Sequence, residues 1–112
     1  MRATLYFADT FFPLLLDDPA SLLRLDEKGL RDLFDRQARE PVERLVGGVL
    51  GVEKVEIAKG RNWGVVKYSV EAEGGNVEAR IFVYEDFLRP EDLVLEQDRL
   101  LYFPPGAQER SE

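Results

Sequence analysis

Apolar and polar side chains alternate along two runs between Trp63 and Tyr84, separated by Glu73-Gly74-Gly75-Asn76. In the first run Val66, Tyr68, Val70 and Ala72 share one parity, and Trp63, Val65, Lys67, Ser69 and Glu71 share the other. In the second, Val77, Ala79, Ile81 and Val83 alternate with Glu78, Arg80, Phe82 and Tyr84. A strand sends successive side chains to opposite faces, so each run has one wholly apolar face. The glycines between the runs suit a tight turn, because they reach positive φ at little steric cost. The pattern predicts an antiparallel hairpin.

Two registers fit. A turn at Gly74-Gly75 sets Val70 opposite Ala79, Tyr68 opposite Ile81 and Glu71 opposite Glu78. A turn at Gly75-Asn76 sets Val70 opposite Ile81, Tyr68 opposite Val83 and Glu71 opposite Arg80. Unlike charges across a strand pair help by roughly 0.2–1 kcal/mol and like charges hurt by a similar amount, which favours the second register. The registers differ by two residues, so both turn the same side chains inward.

The second face departs from the polar pattern of a one-sided sheet. Trp63, Val65, Phe82 and Tyr84 gather at the end away from the turn, while Ser69, Glu71 and Arg80 hold the turn end. Something must cover the aromatic end. The candidates are the N-terminal segment, the C-terminal segment, a second copy of the chain, or a protein partner.

Before the hairpin, Ala3 to Ala8 alternates as a strand. Thr10 to Leu16 is strongly apolar and broken by Pro13, and reads as an irregular core segment or a short helix. Asp18-Pro19 has the form of an N-cap followed by proline at the first helical position, opening a short helix to about Arg24. Asp26 is a second N-cap, with Leu25 and Leu30 spaced as a hydrophobic staple. The main helix is expected from Glu27 to about Val46. Leu30, Leu33, Phe34, Ala38, Val42, Leu45 and Val46 recur at spacings of three and four on one face. Pro41 is expected to kink it, and Gly47-Gly48 to end it.

Val52 to Lys59 reads as a strand with Val55 and Ile57 inward, followed by the turn Lys59-Gly60-Arg61-Asn62. After the hairpin, Glu85 to Asp92 reads as a loop or strand crossing. Leu93 to Phe103 reads as a strand pair turning at Gln97-Asp98, or as one bent strand. Residues 1–103 form a single domain on this reading, and residues 104–112 a flexible C-terminal tail.

The fold class is therefore α+β. An N-terminal strand comes first, then a helix kinked at Pro41 that packs on one face of a meandering antiparallel sheet of four to five strands, in two layers. That element order is similar to the cystatin-like class. The residues hold no family motif, so nothing beyond the order is carried over.

Composition narrows the chemistry. A chain of 112 residues, 45% hydrophobic and 33% charged, builds one core without staples. It has no cysteine and no histidine, so disulfides, thiolate or imidazole metal ligands and an imidazole base are all absent. The net charge of −7 disfavours direct binding to nucleic acid. Mimicry of a nucleic acid is the converse reading, but the bases are interleaved with the acids and form no single acidic stripe. The early apolar run is interrupted by Asp9 and Pro13, unlike a signal peptide, and no stretch approaches the roughly 20 apolar residues of a membrane span. A cytoplasmic protein without membrane contact is expected.

Candidate chemistry is sparse. Asp17-Asp18, Glu85-Asp86 and Glu91-Asp92 are adjacent acids, which cap helices or face water more often than they converge as catalytic pairs. No nucleophile elbow is present. Gly47-Gly48-Val49-Leu50-Gly51 follows a helix and reads as a helix stop, not a phosphate cradle. Lys59, Arg61 and Lys67, with Lys54, gather near Gly60 as a candidate anion-binding turn, against the plainer reading of a solvated turn. Trp63, Val65, Phe82 and Tyr84 are the strongest candidate partner-binding site, against burial by the chain itself.

No catalytic residue, cofactor or metal ion is expected. The function expected is a non-catalytic protein–protein interaction module: a small acidic adaptor, assembly factor or inhibitor of a larger complex. It would bind a protein partner or a second copy of itself through the aromatic face. The alternative is a small-ligand-binding domain with a pocket between helix and sheet, where Tyr6, Tyr68 and Tyr102 supply polar handles.

Overall fold

The computed structural model describes the backbone of residues 1–102 and the side chains of residues 1–97. The tail expected at 104–112 lies outside the described residues. In order, the elements are β1 (Arg2–Phe7), β2 (Thr10–Leu14), a 3-10 helix (Pro19–Arg24), α1 (Glu27–Leu33), a π-helical turn (Phe34–Ala38), α2 (Arg39–Val46), β3 (Val49–Gly60), β4 (Trp63–Ala72), β5 (Gly75–Tyr84) and α3 (Pro90–Tyr102). The five strands form one antiparallel sheet in the order β2-β1-β5-β4-β3. The expected α+β architecture is present, with the helical segment from Glu27 to Val46 packed on the sheet.

The inward parity read from the hairpin forms the main core. Val66, Tyr68, Val70, Ala79, Ile81 and Val83 are buried against Leu30, Leu33, Phe34, Ala38 and Val42 of the helical segment. Leu5 and Phe7 of β1 join them, because β1 pairs with β5 from Arg2↔Tyr84 to Tyr6↔Arg80. Asp26 caps α1 as expected, accepting a 2.8 Å hydrogen bond from the Gly29 N–H. Asp18 makes no such side-chain bond.

Where the helix meets Pro41 it is irregular upstream of the proline. The Arg39 N–H reaches back five residues to the Phe34 carbonyl, a π-type bond. Proline has no N–H and its ring crowds the carbonyl four residues before it, so a widened turn there relieves the clash. Val42 and Val46, four apart, carry the inner face of α2. Leu45, expected inward, is 59% exposed.

The hairpin takes neither of the two registers. Val70 faces Val77, Tyr68 faces Ala79, and Ala72 faces Gly75 around a turn at Glu73-Gly74. The reason is tertiary. The Glu73 N–H donates to the Gly48 carbonyl at 2.9 Å, and the Gly74 N–H donates to the Val46 carbonyl at 2.8 Å. The Glu73 carboxylate accepts from the Gly48 N–H at 2.8 Å. These bonds tie the tip to the end of α2, and Gly75 absorbs the positive φ of 122°. The shift is again by two residues, so the faces are unchanged.

Three further expectations are corrected. Thr10–Leu14 is an edge strand, neither helix nor irregular segment; Pro13 is tolerated because an edge strand has one side without ladder bonds. The strand β3 starts at Val49, earlier than Val52, and carries two bulges before Val55; Ile57 keeps the inward parity of its partner Val66 but is 41% exposed. Pro90–Tyr102 is a helix, not a strand pair. Pro90 at its start and Glu91-Asp92 in its first turn are helix-opening signals, and Leu93 and Gln97, four apart, form its buried side.

Candidate functional site

The structure brings Trp63, Val65, Phe82 and Tyr84 together. Trp63 lies opposite Tyr84 and Val65 opposite Phe82 across the β4–β5 pair. They are not a free surface. Phe82 and Val65 are 0% exposed and Trp63 only 7%. Of the four possible covers, the C-terminal segment is the one that lies there. Leu93 of α3 is buried in this cluster, with Leu88, Val94, Tyr6 and Ala58 packed around it. The face is a second, smaller core.

Each side chain is held by a specific neighbour. Gly60 faces Trp63 across β3–β4, and a Cβ there would fall 2.1 Å from the indole. The turn glycine is thus also the space in which the tryptophan lies. The Tyr84 and Thr4 hydroxyls share a buried 2.8 Å hydrogen bond. On the cover itself, Gln97 is fully buried and neither of its amide atoms has a hydrogen-bond partner among the described residues.

The candidate anion-binding residues do not converge. Lys59 pairs with Gly64, on the parity of Val66, whereas Lys67 pairs with Arg80 and Glu56 on the other parity. Lys59 and Lys67 therefore leave the sheet on opposite faces, with Arg61 exposed in the turn between strands. Lys67 lies 3.8 Å from Glu78, which also pairs with Arg80 at 2.7 Å.

Nor do the polar handles of a helix–sheet pocket line open space. The Tyr68 hydroxyl donates to the Leu30 carbonyl at 2.6 Å, and its ring packs 5.1 Å from that of Phe34. Tyr6 donates to Asp9 at 2.8 Å. The side chain of Tyr102 lies outside the described residues. The adjacent acids stay apart: Asp86 pairs with Arg2 at 3.7 Å and Glu91 with Arg89 at 3.3 Å. Among the described residues no helix is long and apolar enough to cross a membrane.

The open space lies elsewhere. A groove of about 830 Å³ runs between the β1–β2 end of the sheet and the start of α3. Thr4, Phe11, Pro13, Leu15, Tyr84 and Pro90 are among its lining residues. Tyr84 links it to the aromatic cluster. The three leucines at and just after the end of β2 explain its shape: Leu14 and Leu16 turn toward the core, which sends Leu15 outward to 95% exposure. Sequence reasoning missed this site. The signal was present, since three successive leucines in extended chain cannot all face one way. No protein family, characterised protein or solved structure that was compared with this chain matches it.

Proposed function

We propose that this chain is a non-catalytic protein–protein interaction module of the adaptor or assembly-factor kind, and that it binds at the groove where the aromatic cluster ends. The observation that carries this reading is Leu15, 95% exposed on the border of a groove of mixed polar and apolar lining. Burying a leucine fully is worth about 1.5–3 kcal/mol, so a partner that covers it gains directly. The aromatic residues act from the side. Trp63, Val65 and Phe82 pack beside Tyr84 on the same face of the sheet, and Thr4 holds its hydroxyl, so this wall is ordered before anything binds.

The partner enters by side chains. Pro13 removes an N–H from the five-residue strand β2, so adding a strand along that edge gains little. A cytoplasmic setting goes with this reading, on the sequence grounds of an acidic chain without cysteine.

The test is site-specific photocrosslinking in the source cells. A crosslinker in place of Leu15 is expected to trap a discrete protein or a second copy of the chain, and one in place of the exposed Leu45 of α2 to trap neither. Equal products at both positions, or none at Leu15, would sink the reading.

A further inference from the structure

We infer that the groove's occupant is a second copy of this chain, docked about a two-fold axis so that Leu15 of each copy enters the groove of the other. The inference rests on the groove being a binding site at all. Its first support is that knob and hole are adjacent. Leu15 lines the very groove it protrudes beside, so a two-fold axis near it satisfies both copies with one patch.

The second support is charge. Two copies of a chain carrying −7 repel one another over most of their surface. At the groove that repulsion is relieved. Arg2 is paired with Asp86 at 3.7 Å and Arg89 with Glu91 at 3.3 Å, which leaves Asp17 as the unpaired side-chain charge among the groove's described residues. A basic partner would seek unpaired acids and finds a single one here. The Met1 ammonium, 3.3 Å from the same Asp86, also lines the groove and offsets Asp17, so a second acidic copy meets a patch without net charge.

The third support comes from the other obvious place for self-association, the β3 edge, which is closed along its first half. Arg39 donates to the Val49 carbonyl at 3.2 Å and Arg31 to the Val52 carbonyl, while Glu43 accepts from the Val49 N–H at 2.8 Å. Two bulges and two exposed lysines, Lys54 and Lys59, guard the strand further.

Sedimentation equilibrium of the full chain tests this, from low micromolar to submillimolar concentration. The wild type is expected to show a monomer–dimer equilibrium. Leu15→Glu is expected to raise the dissociation constant about 100-fold or more, because symmetry removes two leucines from the interface at once. At concentrations where both are monomers its thermal midpoint should match wild type, and the control Leu45→Glu should dimerise as wild type does. A wild type that stays monomeric throughout, or a Leu15→Glu variant that still dimerises, would overturn the inference. A monomeric chain whose Leu15 position still crosslinks a different protein overturns only the second copy; neither dimer nor crosslink overturns the groove as well.

Discussion

Trp63 occupies the space that a side chain at Gly60 would need: a Cβ there would lie 2.1 Å from the indole ring. The two residues face one another across β3 and β4. Gly60→Ala should therefore push the indole out of the cluster it shares with Val65, Phe82 and Leu93. The expected loss is about 1–3 kcal/mol of stability, read as a lower urea midpoint with an unchanged slope. An unchanged midpoint would show that the ring does not rest on this glycine.

Phe82→Asp is the obvious substitution for breaking a binding face, and here it should break the fold. Phe82 is 0% exposed, so the carboxylate would be buried without a partner. A loss of about 4 kcal/mol or more is expected, seen by circular dichroism. Leu15→Glu, on a side chain open to water, should stay within about 0.5 kcal/mol of wild type. A folded Phe82→Asp protein would place solvent against the aromatic face.

Gln97 offers a stabilising change. Its amide is buried, with no hydrogen-bond partner for either polar atom among the described residues. Leaving such a group unpaired costs about 1–3 kcal/mol, and an apolar group of similar shape avoids that cost. Gln97→Leu should raise the urea midpoint by a corresponding amount. A lowered midpoint would mean that the amide is satisfied in solution.

Tyr68 gives the fold a dependence on alkaline pH. Burial raises its phenol above the ordinary value near 10. Above about pH 10 the unfolded chain releases this proton while the folded chain keeps it, so the folded state binds more protons. Its contribution is whole below about pH 10 and is lost as pH rises from there toward the raised native value, by about 1.4 kcal/mol per pH unit. Tyr68→Phe should remove that slope. At neutral pH it should cost about 1 kcal/mol, because the 2.6 Å bond to the Leu30 carbonyl is gone. Equal alkaline slopes in the two proteins would contradict this.

The faces of the sheet were legible because parity survives error. The turn lies at Glu73-Gly74 and not at the glycine pair read from local preference, yet the displacement is even and no side chain changes sides. What moved the turn was a tie between Glu73 and Gly48, 25 residues apart, which no local rule contains. The C-terminal helix was missed for a related reason. Leu93-Val94-Leu95 reads as a strand by its apolar run, and Pro90-Glu91-Asp92 before it reads as part of a loop, not as a helix opening. With that helix missed, the aromatic cluster looked uncovered. The sequence showed which residues cluster, and only the packing showed that the chain covers them itself. The groove was hidden likewise, because Leu15 becomes exposed only once Leu14 and Leu16 are seen to turn inward.

Trp63 is the single tryptophan of the chain, so its fluorescence reports on the aromatic cluster alone. The most direct test is iodide quenching of that emission, in the free chain and again when the groove is occupied. Trp63 should be shielded in both states and become accessible only on unfolding, since α3 covers it and binding takes place at the Leu15 end. Ready quenching in the free chain, or shielding that appears only on association, would put the binding surface back on the aromatic face and contradict binding at the Leu15 groove.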